Sequence, residues 1–211
     1  MKNILIICLS ICTLTVFAQS NKYEASMEAL IQKMDTAQSA TVFNTVGNGF
    51  ERIANAEINQ WLPYYYASYC YTLSAFTARD SKNFDNVADK CDKLLDKADS
   101  LSKKNSEIMC LRAMTNSMRI MVDPQSRGMK FGMLSSQNLM EAKRLDPTNP
   151  RPYLLDAQSK LYTPEQWGGG KEVARKMLDE ASKRLESFKP ASRIDPTWGA
   201  KMKEMIEAQL K

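Results

Sequence analysis

The sequence predicts an all-α chain folded as an α-solenoid, with about four helical hairpins stacked side by side and a C-terminal capping helix. Three observations predict it: a helix-favouring composition, apolar residues at helical spacing, and small residues that return at a fixed period. Of 211 residues, 44% are hydrophobic and 25% charged, which suits a folded globular chain rather than a disordered one. Gly and Pro contribute only 8 residues each. Ala, Leu, Met, Lys and Glu outweigh the β-branched Val and Ile, so helix is favoured over strand throughout.

The elements follow in order. Met1-Lys2-Asn3 is a short basic start, Ile4 to Phe17 is almost wholly apolar, and Val16-Phe17-Ala18 ends on a small residue before Gln19. Residues 1–18 therefore read as a secretory signal peptide, too short for a comfortable membrane span. The chain from 19 to 211 is then one helical domain, exported to the periplasm or outside of a Gram-negative cell. No further apolar run of spanning length follows. Hairpins are expected over 22–57, 60–102, 105–145 and 151–188, with a cap over 197–210. Within them, Val87, Ala88, Cys91, Leu94, Leu95 and Ala98 keep the i, i+3, i+4, i+7 rule of an amphipathic helix, as do Ala174, Met177, Leu178, Ala181 and Leu185. Asp123-Pro124, Asp146-Pro147 and Asp195-Pro196 pair a capping Asp with a Pro suited to a turn or a first helical position. Thr163-Pro164-Glu165-Gln166 has the form of a capping box.

Small residues then give the period. Ala25, Ser68, Ala113 and Ala157 fall in the first helices; Gly47, Cys91, Ser135 and Ala174 fall in the second, followed by Ala54, Ala98, Ala142 and Ala181. The spacing is roughly 44 residues, the scale of one helical repeat unit. A small side chain at a fixed place lets the next helix approach, so hairpin stacks on hairpin. The segment from Glu141 to Pro150, EAKRLDPTNP, with Tyr153, Ala157, Ala174, Leu178 and Ala181 beyond it, resembles the tetratricopeptide repeat. That resemblance implies a concave surface lined by the first helix of each pair, and a protein that binds rather than catalyses. These repeats are longer than the family's usual 34 residues.

Chemistry is bounded mostly by exclusion. There is no His, so neither a Ser-His-Asp nor a Cys-His arrangement is possible, and a zinc site is not expected. Cys70, Cys91 and Cys110 remain after signal cleavage; they read as buried thiols or as one disulfide with a thiol over. Losing Lys2 lowers the formal charge of +5 by one, and alternating charges such as those from Asp89 to Asp99 mark a solvated helix face rather than a nucleic-acid surface. Gly168-Gly169-Gly170-Lys171 lacks the Ser or Thr of a phosphate loop and reads as a helix connection. Met109, Met114, Met118, Met121, Met129, Met133 and Met140 suit a core or an adaptable groove better than a soft-metal site. No cofactor and no metal are expected, and no enzymatic activity.

The most aromatic stretch, WLPYYYASYCY from Trp61 to Tyr71, is the site expected from sequence. Trp61, Tyr65 and Tyr69 share one helix face, and Tyr64 with Tyr71 another; both faces cannot readily be buried in a two-layer array. Tyr and Trp combine apolar area with a polar tip and are enriched at interfaces. The reading that follows is a scaffold or adaptor for an unidentified protein or peptide. Its alternative is a small-molecule or glycan binder that stacks its ligand on this cluster.

Overall fold

The computed structural model describes residues 22–211, so the expected signal peptide lies outside the described residues. Among them are nine α-helices and no strand, which is the all-α architecture expected from composition and spacing. Helix α1 covers residues 22–35. It is followed by α2 (Ala40–Ala56), α3 (Trp61–Ala78), α4 (Phe84–Leu101), α5 (Ser106–Val122) and α6 (Pro124–Leu145), then by α7 (Arg151–Tyr162), α8 (Lys171–Ser187) and α9 (Ala200–Leu210).

Local chemistry sets most boundaries. Ser39 caps α2 by accepting from the Val42 amide at 3.3 Å, and Asn105 caps α5 by accepting from the Glu107 amide at 2.9 Å. Asp123-Pro124 starts α6 as expected, with the Asp123 carboxylate accepting from Ser126 N at 3.2 Å. Two further cap signals do not open a helix. The Thr163 hydroxyl does not cap α8; it donates back to the Ser159 carbonyl at 2.8 Å, and α8 starts after Gly170 at φ 97°. Asp195-Pro196 does not open the last helix either, because α9 begins at Ala200 and the Asp-Pro pair lies in the connection before it.

Consecutive helices from α2 to α8 pack in chain order, while α3, α5 and α7 also touch one another in succession as an inner layer. The small-residue positions sit at these joints. All of them are buried except Ala25, which faces solvent on α1. A Cβ at Gly47 would come within 2.9 Å of the Tyr71 ring and 3.2 Å of Cys70 Cβ, so glycine lets α2 close on α3. Phe50, Tyr65, Tyr66, Leu95, Leu111 and Met118, each below 2% exposed, form the centre of one continuous core.

A strap and a groove as candidate sites

The expected aromatic platform is interior. Tyr64, Tyr65, Tyr69 and Tyr71 are all below 9% exposed and only Trp61 is part-exposed, so no open tyrosine face exists in this state. The reason is that three layers cover α3, where the sequence reading counted two. Helix α2 covers one side and α4 another. The third side is covered by residues 188–199, which join α8 to α9 and return as a strap. Tyr66 donates to the Ile194 carbonyl at 2.9 Å, Trp198 Nε1 donates to the Tyr65 hydroxyl at 2.7 Å, and the Trp198 ring stacks on Tyr69 at 4.9 Å. Elsewhere the Tyr64 hydroxyl donates to the Ala54 carbonyl at 3.0 Å, and that of Tyr71 to Asn48 Oδ1 at 2.7 Å and to Glu51. The phenols are therefore used as internal ties.

Beneath the strap lies a buried ion pair. Arg151 on α7 is fully enclosed and meets Glu107 on α5 at 2.9 Å, while its other terminal nitrogen donates to the Pro196 carbonyl of the strap. Glu107 also accepts from Tyr65 at 2.8 Å and from Asn149 Nδ2 at 2.8 Å. Burial pushes the Glu107 carboxyl above its ordinary range, with Arg151 and these donors opposing. Arg151 Nε has no hydrogen-bond partner, and the guanidinium lies 4.6 Å from the Phe188 ring centroid and 5.5 Å from that of Trp198. Glu107 and Arg151 are 44 residues apart, one repeat period. Sequence reasoning passed over this pair, and the period is the signal that could have found it.

The other end of the array is open. Between α1 and α2 runs a solvent-facing groove of about 550 Å³ with mostly apolar walls. Ala29 and Leu30 line it from α1, and Ile53 and Ala56 from α2, while Lys22 and Arg52 add one cation from each helix and Glu57 one anion. It exists because α1 and α2 touch at Gly49, where a Cβ would stand 2.9 Å from the Leu30 side chain, and small residues leave space beside that contact. Tyr23 also lines it, and its hydroxyl is shielded from water without a hydrogen-bond partner. Burial first, then the Glu57, Glu24 and Asp195 charges, raise the Tyr23 phenol far above its ordinary value, so it is a neutral donor. None of these groove residues was singled out from sequence. Their weak signal is the concentration of Ala, Gly and Ser in the first hairpin.

The remaining sequence candidates separate by burial. Cys70, Cys91 and Cys110 are free, buried thiols, each raised by desolvation, and they form no disulfide. Met114 and Met118 are core, whereas Met121, Met129, Met133 and Met140 are exposed. No cluster of three or more His, Cys, Asp or Glu able to hold a metal occurs among the described residues. The Gly-rich turn holds Trp167 at 73% exposure and packs Gly169 where a Cβ would overlap the Thr163 carbonyl. Among the described residues, no helix is long and apolar enough to cross a membrane.

Comparison with known proteins separates the two functional readings. No family model matches the chain, the tetratricopeptide repeat included, and no curated protein matches it. Among solved structures, it is similar to the HusA haemophore from Porphyromonas gingivalis, at 34% identity and a TM-score of 0.81. The match covers 90% of this chain and 92% of that one. A haemophore is a small-molecule carrier, and this overturns the reading as a protein- or peptide-binding scaffold in favour of its small-molecule alternative. The interior position of the tyrosines removes the surface on which both readings had placed their ligand, so the small-molecule alternative stands without its expected site. Identity at this level over nine-tenths of both lengths places the chain in the family of the HusA haemophore.

Proposed function

We propose that this protein is an extracellular or cell-surface carrier of haem or a related tetrapyrrole, held in the α1–α2 groove and exported through its first 18 residues. The observation that carries this is the 34% identity to a haemophore across nearly the whole chain. In this reading the stack is a tetratricopeptide-like array and the protein binds without catalysis.

The groove supports it chemically. Its volume of about 550 Å³ falls within the range of small-molecule sites. A tetrapyrrole is a flat apolar ring with carboxylates at one edge. Leu30, Ile53, Ala29 and Ala56 suit the ring, and Lys22 and Arg52 suit the carboxylates. Imidazole ligation of the iron is impossible without His, and the thiols are buried. Six of the eight tyrosines already donate hydrogen bonds: Tyr64, Tyr65, Tyr66, Tyr71, Tyr153 and Tyr162. Tyr23, the one tyrosine lining the groove, has its hydroxyl shielded, and no Met or Cys lines the groove, so recognition rests on the ring face and the carboxylates.

The test is titration of the mature protein with ferric haem and with metal-free protoporphyrin IX, followed by Soret absorbance and fluorescence. Saturable binding of both is expected, with Ile53→Glu weakening it about tenfold or more by placing a charge against the ring. Absence of saturable binding to either compound overturns the function. Unchanged affinity in Ile53→Glu moves the site elsewhere.

A further inference from the structure

The strap and the groove meet at α1. This helix packs on α2 where Leu30 reaches Gly49, and its other flank is tied to the C-terminal segment. Arg193 of the strap stands 3.7 Å from Glu28, and Lys201 at the start of α9 donates to the Asp35 carbonyl at the end of α1. Asp195 of the strap is near enough to Tyr23 for its charge to be felt at that groove phenol. The strap in turn is fixed to the inner layer by Tyr66 at Ile194, Arg151 at Pro196, and Tyr65 with Tyr69 at Trp198. Helix α1 is one wall of the groove, and no earlier described helix supports it from outside.

From this geometry we infer that the 188–199 strap is a clamp on the ligand groove, holding α1 against α2 and thereby setting how fast a bound tetrapyrrole leaves. The inference rests on the tetrapyrrole reading above. The latches lie on the side of α1 away from the ligand, and none of Arg193, Lys201 or Tyr66 lines the groove. Apart from the charge that Arg193→Ala and Lys201→Ala remove, which salt screens and which Tyr66→Phe does not change, a change there reaches the ligand by letting α1 move. The ligand in turn draws α1 and α2 together, so its binding tightens the strap, since coupling between two sites is reciprocal.

The experiment uses protoporphyrin IX bound to the mature protein, with release followed by fluorescence on transfer to excess competitor. Wild type is titrated first; if it binds no protoporphyrin, the tetrapyrrole reading fails and the clamp with it. If it binds, Arg193→Ala combined with Lys201→Ala is expected to speed release about two- to tenfold, since each exposed contact is modest. Tyr66→Phe removes one of the ties between the strap and α3 and is expected to act in the same direction. Both variants keep the fold checkable by helical circular dichroism. Hydrogen exchange of the 188–199 amides in wild type is expected to slow on saturation. Unchanged release in both variants overturns the clamp and leaves the carrier function standing, whatever the exchange data show.

Discussion

At the inner face of α3, α5 and α7, charge and aromatic surface are consumed internally: Arg151 is paired, the Tyr65 and Tyr66 hydroxyls are bonded, and the strap covers them. At the α1–α2 groove the same residue types are left over. Lys22 and Arg52 border an apolar trough, and the Tyr23 hydroxyl has no partner. The difference teaches that richness in tyrosine does not mark a site in a helical array. A buried phenol with its bond made is mortar, whereas a solvent-facing apolar wall bordered by cations is where a ligand with an apolar ring and carboxylates lowers the free energy.

The largest effect expected from breaking this comparison lies at Arg151. Arg151→Ala leaves Glu107 buried without its counter-charge and the strap carbonyl at Pro196 without its donor. Loss of one partner of a buried pair costs about 3–5 kcal/mol, so the urea midpoint should fall steeply. Replacing both partners, as Arg151→Met with Glu107→Leu, should recover part of that loss, because no lone charge remains. A single variant as stable as wild type would show that the strap does not depend on this pair.

A smaller effect is the pH dependence of the same pair. Burial raises the folded carboxyl of Glu107 above its ordinary value of 4.5, so the folded state binds that proton more tightly than the unfolded chain. Stability rises with pH only where the unfolded state binds more protons; here the sign is reversed. Ionised Glu107 therefore costs stability at neutral pH, and the cost disappears as pH falls through the raised folded value toward 4.5. The stability of wild type relative to Glu107→Gln should accordingly improve as unfolding is measured at successively lower pH over that window. A difference that is flat with pH would place the folded carboxyl at its ordinary value.

The fold was legible because it is carried by local signals. Periodic apolar residues, Asp123 as a cap, and the recurring small residues each act within a turn or a repeat. The site was not, because its geometry depends on long-range return of the chain. Trp198 meets Tyr65 across 133 residues and Tyr66 meets Ile194 across 128, and no spacing rule announces such contacts. Without the strap, α3 looks like a two-sided helix with aromatic surface to spare. The groove was hidden for the opposite reason. Ala29, Gly49 and Ala56 look like ordinary helix-packing residues, and only the space left beside the Leu30–Gly49 contact turns them into a trough.

The finest probe of the comparison is a charge at the groove rim that leaves the closed face untouched. Arg52 lies on the exposed side of α2, so Arg52→Glu should leave the unfolding midpoint within the small range usual for surface changes. A ligand anchored by its carboxylates would feel the reversal directly. Protoporphyrin affinity is expected to fall by about tenfold at low salt, with the gap to wild type narrowing as ionic strength rises and screens the rim. The neutral Arg52→Gln should fall between the two. If affinity in Arg52→Glu matched wild type at every salt concentration, the carboxylates would not sit at this rim, and the ring alone would have to account for binding. If the loss did not diminish with salt, its cause would be steric rather than electrostatic. Salt dependence therefore separates a groove that reads both ends of an amphipathic ring from one that merely shelters an apolar surface.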